Sequence, residues 1–167
     1  MVWCVCYPEV LPVTGGCVAG VGNFDGVHEG HRHLLALAQA EAAFRTLPLV
    51  VLTFEPHPRS VLRPEVPLKR LTSLEQKVDL LGEAGVEGVA VMPFTRELAG
   101  WSPQRFMDEV LVGWLGAKGV CVGENFRFGA RAAGDVATLQ GQDHFTTLAV
   151  PLLTDEAGVV SSSRLRV

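Results

Sequence analysis

The sequence predicts an α/β fold, a parallel five-stranded sheet with helices on both faces. Three observations lead there. Short apolar, β-branched runs alternate with stretches of helical periodicity along the chain. The runs do not alternate apolar with polar, so both sheet faces are expected to be covered. Strand–helix alternation of this kind implies parallel pairing through right-handed crossovers.

The elements follow in order. CVAGVG (17–22) reads as the first strand, PLVVLTF (48–54) as the second and VEGVAVM (86–92) as the third. KGVCV (118–122) reads as the fourth and TTLAVPLL (146–153) as the fifth. From His31 to about Thr46, Leu34, Ala38 and Ala42 recur at four-residue spacing, which predicts the first helix. Leu74, Val78 and Leu81 mark a second over 73–84, where Ser73 and Gln76 make a capping box. Phe106, Val110 and Trp114 mark a third over 102–115, with Ser102 as N-cap and Pro103 in its first turn. A short helix is expected after Gly134, with Asp135 near its start. Residues 55–72 hold four prolines and read as one long, stiff loop.

The 167 residues suit a single domain, 48% hydrophobic and 19% charged. A net charge of −4 with scattered arginines argues against a nucleic-acid surface. No apolar run is long enough to span a membrane, and MVWCVCYPEV lacks the marks of a signal peptide, so a cytoplasmic protein is expected. The four cysteines match no zinc spacing. Cys17 and Cys121 read as small core residues, and Cys4 with Cys6 as a chance pair.

In an open α/β sheet the ligand binds at the carboxyl ends of the strands, beside a reversal in strand order. GNFDGVHEGH (22–31) occupies that place after the first strand. His28 and His31 stand where the first helix begins, and a helix start offers free N–H groups and positive dipole to phosphate. Gly26 and Gly30 would let a bulky anion approach the backbone. The spacing H-E-G-H is one residue too short for the zinc-protease pattern. No metal ligand set is predicted.

GNFDGVHEGH resembles the H-x-G-H signature of adenylyltransferases on the Rossmann-like nucleotidyltransferase fold. More closely, it resembles the adenylyltransferase module of bacterial bifunctional riboflavin kinase/FAD synthetases. TFEPHPR (53–59), LTSLEQKVDLL (71–81), VGENFRFG (122–129) and SSSRLR (161–166) extend that resemblance over nearly the whole chain. It implies that AMP passes from ATP to FMN, giving FAD and pyrophosphate, with magnesium held mainly by substrate phosphates and water. His28 and His31 would stabilise charge on the reacting phosphates. Gly22, Asn23, Phe24, Asp25, Gly30, Ser162, Ser163 and Arg166 would bind ATP. Pro56, His57 and Pro58 would form a rigid wall for the flavin, with Asn125 and Phe128 beside it and Phe126 in the core. Ser163 stands where the family's second signature has threonine, a swap that keeps the hydroxyl.

In the family that signature is followed by a helix and then a riboflavin kinase module. Residues 1–167 therefore read as an adenylyltransferase domain without a kinase domain. Two other readings stay open: a nucleotidyltransferase with a different phosphate acceptor, and a truncated remnant that binds nucleotide or flavin without turnover. The expected partners are small molecules, ATP and FMN, with neither nucleic acid nor membrane.

Overall fold

The computed structural model describes residues 2–24, 29–56, 58–62, 65, 73–151, 154–155 and 158–159. The chain runs β1 (Trp3–Cys6), β2 (Cys17–Val21), α1 (Glu29–Arg45), β3 (Leu49–Glu55), α2 (Pro58–Leu62), α3 (Leu74–Glu83) and β4 (Gly88–Pro93). It continues through α4 (Arg96–Ala99), α5 (Pro103–Phe106), β5 (Ala117–Gly123), α6 (Val136–Gln140) and β6 (Thr146–Val150). A two-residue antiparallel pair, β7 (Thr154–Asp155) and β8 (Gly158–Val159), lies beyond it.

The main sheet is wholly parallel and has six strands in the order β1-β4-β3-β2-β5-β6. The expected five strands are all present. The sixth is WCVC, which sequence reasoning passed over as a chance C-x-C. Its side chains alternate between half-buried and exposed because it is an edge strand, and four residues are too few for a period to stand out. Cys4 and Cys6 both project on its exposed side. The interior strands are buried almost without interruption, as a sheet covered on both faces requires.

Alternate residues of each strand feed two cores. Ala19, Val21, Val50, Leu52, Ala90 and Met92 pack with Phe106, Val110 and Leu111 on one face. Val18, Val51, Val89 and Cys121 pack on the other with Leu34, Leu35, Ala38 and Ala42 of α1 and Leu81 of α3. Cys17 and Cys121 are fully buried, and burial pushes both thiols up to about 12.

The predicted caps are in place. The Ser73 hydroxyl accepts from the Gln76 N–H at 3.1 Å while the Gln76 side chain accepts from the Ser73 N–H at 2.9 Å. Ser102 caps α5, and Asp135 caps α6 in a second capping box with Thr138. Hydrogen bonds from Thr138, backbone first, hold the Asp135 carboxyl below the usual carboxylate range.

Two other expectations change. The long loop over 55–72 contains α2, with Pro58 in the first helical position, where a missing N–H is harmless. The regular helix expected over 102–115 is α-helical only to Phe106 and continues as π-helical turns over Met107–Trp114. The Leu115 N–H accordingly donates to Val110 O, five residues back.

Candidate active site

Chain direction across the sheet reverses at β2. The chain proceeds from β2 outward through β3 to β4, then returns to lay β5 and β6 on the other side. The carboxyl ends of β2 and β5 therefore flank a crevice. A cavity of about 670 Å³ opens there. Gly22, Asn23 and Phe24 enter it from the end of β2, His31 and Leu34 from α1, and Asn125, Phe126 and Phe128 from the loop after β5.

The β2 end is tightly constrained. Phe24 is fully buried and holds a left-handed backbone, φ 53°, which a bulky residue adopts only when its surroundings demand it. Its ring crowds position 22: a Cβ on Gly22 would lie 3.2 Å from Phe24 Cε2. The ring also meets the His31 imidazole at 4.9 Å between centroids. His31 lies in the first turn of α1 and lines the cavity. Asn23 Oδ1 is a buried acceptor without a hydrogen-bond partner among the described residues.

The opposite wall is aromatic. Phe126 and Phe128 stack at 5.6 Å with planes 18° apart. Phe128 then meets Phe106 at 5.6 Å, and Phe106 meets Phe54 at 6.1 Å. Phe94 closes the row edge-on to Phe54 at 6.1 Å. Phe128 lines the cavity, and Phe126, expected in the core, lines it as well while packing against the core. Phe128 is the more buried, 7% exposed, because Phe106 and Gly134 hold it from behind.

The loop after Phe128 closes on itself. Phe128 and Gly134 exchange backbone hydrogen bonds of 3.1 and 2.8 Å. Ala130 N–H donates to Trp101 O at 2.8 Å. Within this pinned loop Arg131 and Ala132 are both left-handed, φ 56° and 52°. The Arg127 guanidinium donates to Ala132 O at 3.3 Å, and Arg131 lines the cavity as a second cation.

Of the residues singled out from sequence, Gly22, Asn23, Phe24, His31, Pro58, Asn125 and Phe128 come together around this cavity. Gly30 lies in the first turn of α1. Pro56 follows β3 through a cis peptide from Glu55 but does not line the cavity. Asp25, His28, His57, Ser162, Ser163 and Arg166 lie outside the described residues. Phe54, Phe94 and Phe106 were missed as wall residues. Phe54 and Phe94 stand at or just past the carboxyl ends of strands, a signal that would have found them. Among the described residues no three His, Cys, Asp or Glu side chains converge on a metal position, and no helix is long and apolar enough to cross a membrane.

The sequence model of the FAD synthetase family matches residues 11–164. The bifunctional riboflavin kinase/FMN adenylyltransferase of Escherichia coli (strain K12) is 40% identical over 154 residues, covering 90% of this chain and 49% of that protein. The protein of the same name from Pseudomonas fluorescens is 37% identical over 161 residues, covering 95% of this chain and 51% of that one. The chain thus spans about half the length of the curated relatives it matches. Among solved structures, one described as a macrolide-efflux protein from Streptococcus pneumoniae superposes with a TM-score of 0.82 at 28% identity, over 92% of this chain and 50% of that one. A universal stress protein from Archaeoglobus fulgidus, at TM-score 0.50 and 14% identity over 81% of this chain and 98% of that one, shares the fold alone. With the family's sequence model matched over most of its length, the chain belongs to the FAD synthetase family.

Proposed function

We propose that this chain transfers AMP from ATP to FMN, giving FAD and pyrophosphate. One observation supports it above the rest: an aromatic-walled cavity meets the glycine- and histidine-rich start of α1 at the reversal point of the sheet. A volume of about 670 Å³ lies within the ~300–1,000 Å³ range of small-molecule sites. Stacked phenylalanines suit a flat tricyclic ring. A helix start with an imidazole in its first turn suits phosphates.

The FMN phosphate attacks the α-phosphorus of ATP in line, and pyrophosphate leaves. No covalent enzyme intermediate is needed, so the protein's work is alignment and stabilisation of developing charge. His31, with His28 three residues before it, donates to the phosphate oxygens as negative charge builds. Gly22, Asn23, Phe24, Asp25 and Gly30 form the ATP side, with Asn23 Oδ1 as an acceptor open to a nucleotide N–H. Ser162, Ser163 and Arg166 hold the outer phosphates. Phe126, Phe128 and Asn125, with Pro56, His57 and Pro58, form the flavin side. ATP enters as its magnesium complex, the ion carried by phosphate oxygens and water. No step is assigned to a protein-held metal.

We take residues 1–167 as the adenylyltransferase domain, assign them no riboflavin kinase chemistry, and place the protein in the cytoplasm with its small-molecule substrates. The test is FAD formation from FMN and magnesium–ATP by the purified chain, with His31→Ala as control and other phosphate acceptors run in parallel. FAD above the control supports the proposal. Failure to form FAD or to bind FMN by calorimetry, with turnover of another acceptor, would replace it.

A further inference from the structure

A lysine with almost no solvent contact lies behind the site. Lys77, on α3, is 1% exposed, and Thr53, on β3, is 0% exposed. Lys77 Nζ donates to Thr53 Oγ1 at 3.1 Å and to Glu55 Oε2 at 3.3 Å. Thr53 Oγ1 in turn donates to Asn23 O at 3.0 Å.

The direction of this chain follows from its chemistry. An ammonium group only donates, so it occupies a lone pair of the Thr53 hydroxyl. The hydroxyl has one hydrogen, and that hydrogen points at the Asn23 carbonyl. A charged donor polarises the hydroxyl and strengthens the second bond. The peptide is planar and trans, so fixing the Asn23 carbonyl also fixes the Phe24 N–H, which points the opposite way. Asn23 and Phe24 both line the cavity, and Phe24 holds a left-handed backbone.

The far end of the relay is set by the helix start. The Ser73 capping box fixes where α3 begins, and Lys77 N–H donates to Ser73 O at 2.9 Å. Lys77 thereby faces the sheet at the end of β3. Stability alone gives little reason for a lysine there, because apolar replacements of buried ion pairs are often neutral or better.

We infer that Lys77 is a positioning residue: through the Thr53 hydroxyl it holds the Asn23–Phe24 peptide, and with it the ATP side of the cavity, in its bound geometry. The assignment to ATP rests on the transfer proposed above; the relay does not.

The experiment uses Thr53→Val, which keeps the β-branched shape and removes the hydroxyl, with Thr53→Ser as the conservative rescue and Lys77→Met as the second variant. In the ligand-free protein, two-dimensional NMR should show the Phe24 amide resonance displaced in Thr53→Val and Lys77→Met and restored in Thr53→Ser. In FAD formation, Thr53→Val and Lys77→Met should each lower kcat/KM for ATP by about tenfold, the loss expected when a buried hydrogen bond is broken. The KM for FMN should stay within about twofold. The double variant should be no worse than the poorer single one, because both cut the same chain. An unmoved Phe24 amide overturns the relay whatever the enzyme makes. Equal losses for ATP and FMN, or wild-type kinetics in Thr53→Val, overturn the positioning role. A wild-type chain that makes no FAD while its Phe24 amide responds would leave the relay standing and remove the adenylyl-transfer proposal.

Discussion

Phe126 and Phe128 stack on one another, yet replacing each with alanine is expected to damage different properties. Phe126 is half-buried, with its ring 18° from parallel to that of Phe128. Phe128 is 7% exposed and braced by Phe106. A flat ring laid on Phe126 should lose its stacking in Phe126→Ala, which for bases on aromatic side chains is ~1–3 kcal/mol. That corresponds to roughly 5- to 150-fold in Kd for FMN. Little of the core depends on this ring, so unliganded Tm should hardly change. Phe128→Ala removes a core ring instead, at ~3–5 kcal/mol. With about 2–4 °C per kcal/mol for a domain of this size, the melting temperature should fall by roughly 6–20 °C. Calorimetric titration with FMN and with ATP, beside thermal melts without ligand, separates the two effects. Wild-type FMN affinity in Phe126→Ala with a weakened ATP interaction would show that these rings are not the flavin platform. A Phe128→Ala melt within about 2 °C of wild type would show that its burial contributes little.

Other consequences can be checked more briefly. His31→Ala should cut turnover by about 10²–10³-fold while leaving FMN affinity nearly intact; equal losses in both would mean that the imidazole only positions ligand. Gly134→Ala places a Cβ 2.7 Å from Phe128 Cζ. It should destabilise by ~1–3 kcal/mol through overpacking, and an unchanged melting curve would contradict the packing described. Thiol labelling near neutral pH should modify Cys4 and Cys6 but spare Cys17 and Cys121 until the chain unfolds, and early labelling of Cys17 would mean local opening of the central strand. The two buried thiols also set an alkaline limit. Each keeps its proton in the fold to about 12, whereas the unfolded chain releases it near 9.0. Their contribution is intact below about pH 9 and is lost between 9 and 12, at about 1.4 kcal/mol per pH unit for each thiol. Urea melts at pH 8, 9.5 and 11 measure that slope.

The interior strands and the helix starts were legible because they rest on local signals. Val50, Val51 and Leu52 form an unbroken apolar run, and Ser73 with Gln76 marks a helix start from four residues alone. Gly22 and His31 were singled out because few structural reasons crowd histidines and glycines after a strand, and both line the cavity. The aromatic wall was not legible. Phe54, Phe94 and Phe106 come from a strand, the connection after another strand and a helix, and the strand order brings them into one row. Lys77 was passed over because a charged residue on a helix is almost always solvated. The widening of the third helix to π-helical turns depends on tertiary contacts that no periodicity records.

The position of β2 also bears on biosynthesis. It is made early, yet one of its flanks is paired only by β5, from Cys17 with Ala117 to Gly20 with Cys121. While the ribosome adds the intervening hundred or so residues, the nascent chain can assemble β1, β4, β3 and β2 into a half-sheet whose open border is the all-buried strand Cys17–Val21. Such a border is a template for another polypeptide. Slow translation or an arrest between residues 93 and 117 should therefore favour aggregation or chaperone capture. A longer nascent chain escapes once β5 seals that flank, and the segment after β5 then brings Asn125, Phe126 and Phe128 to the cavity wall.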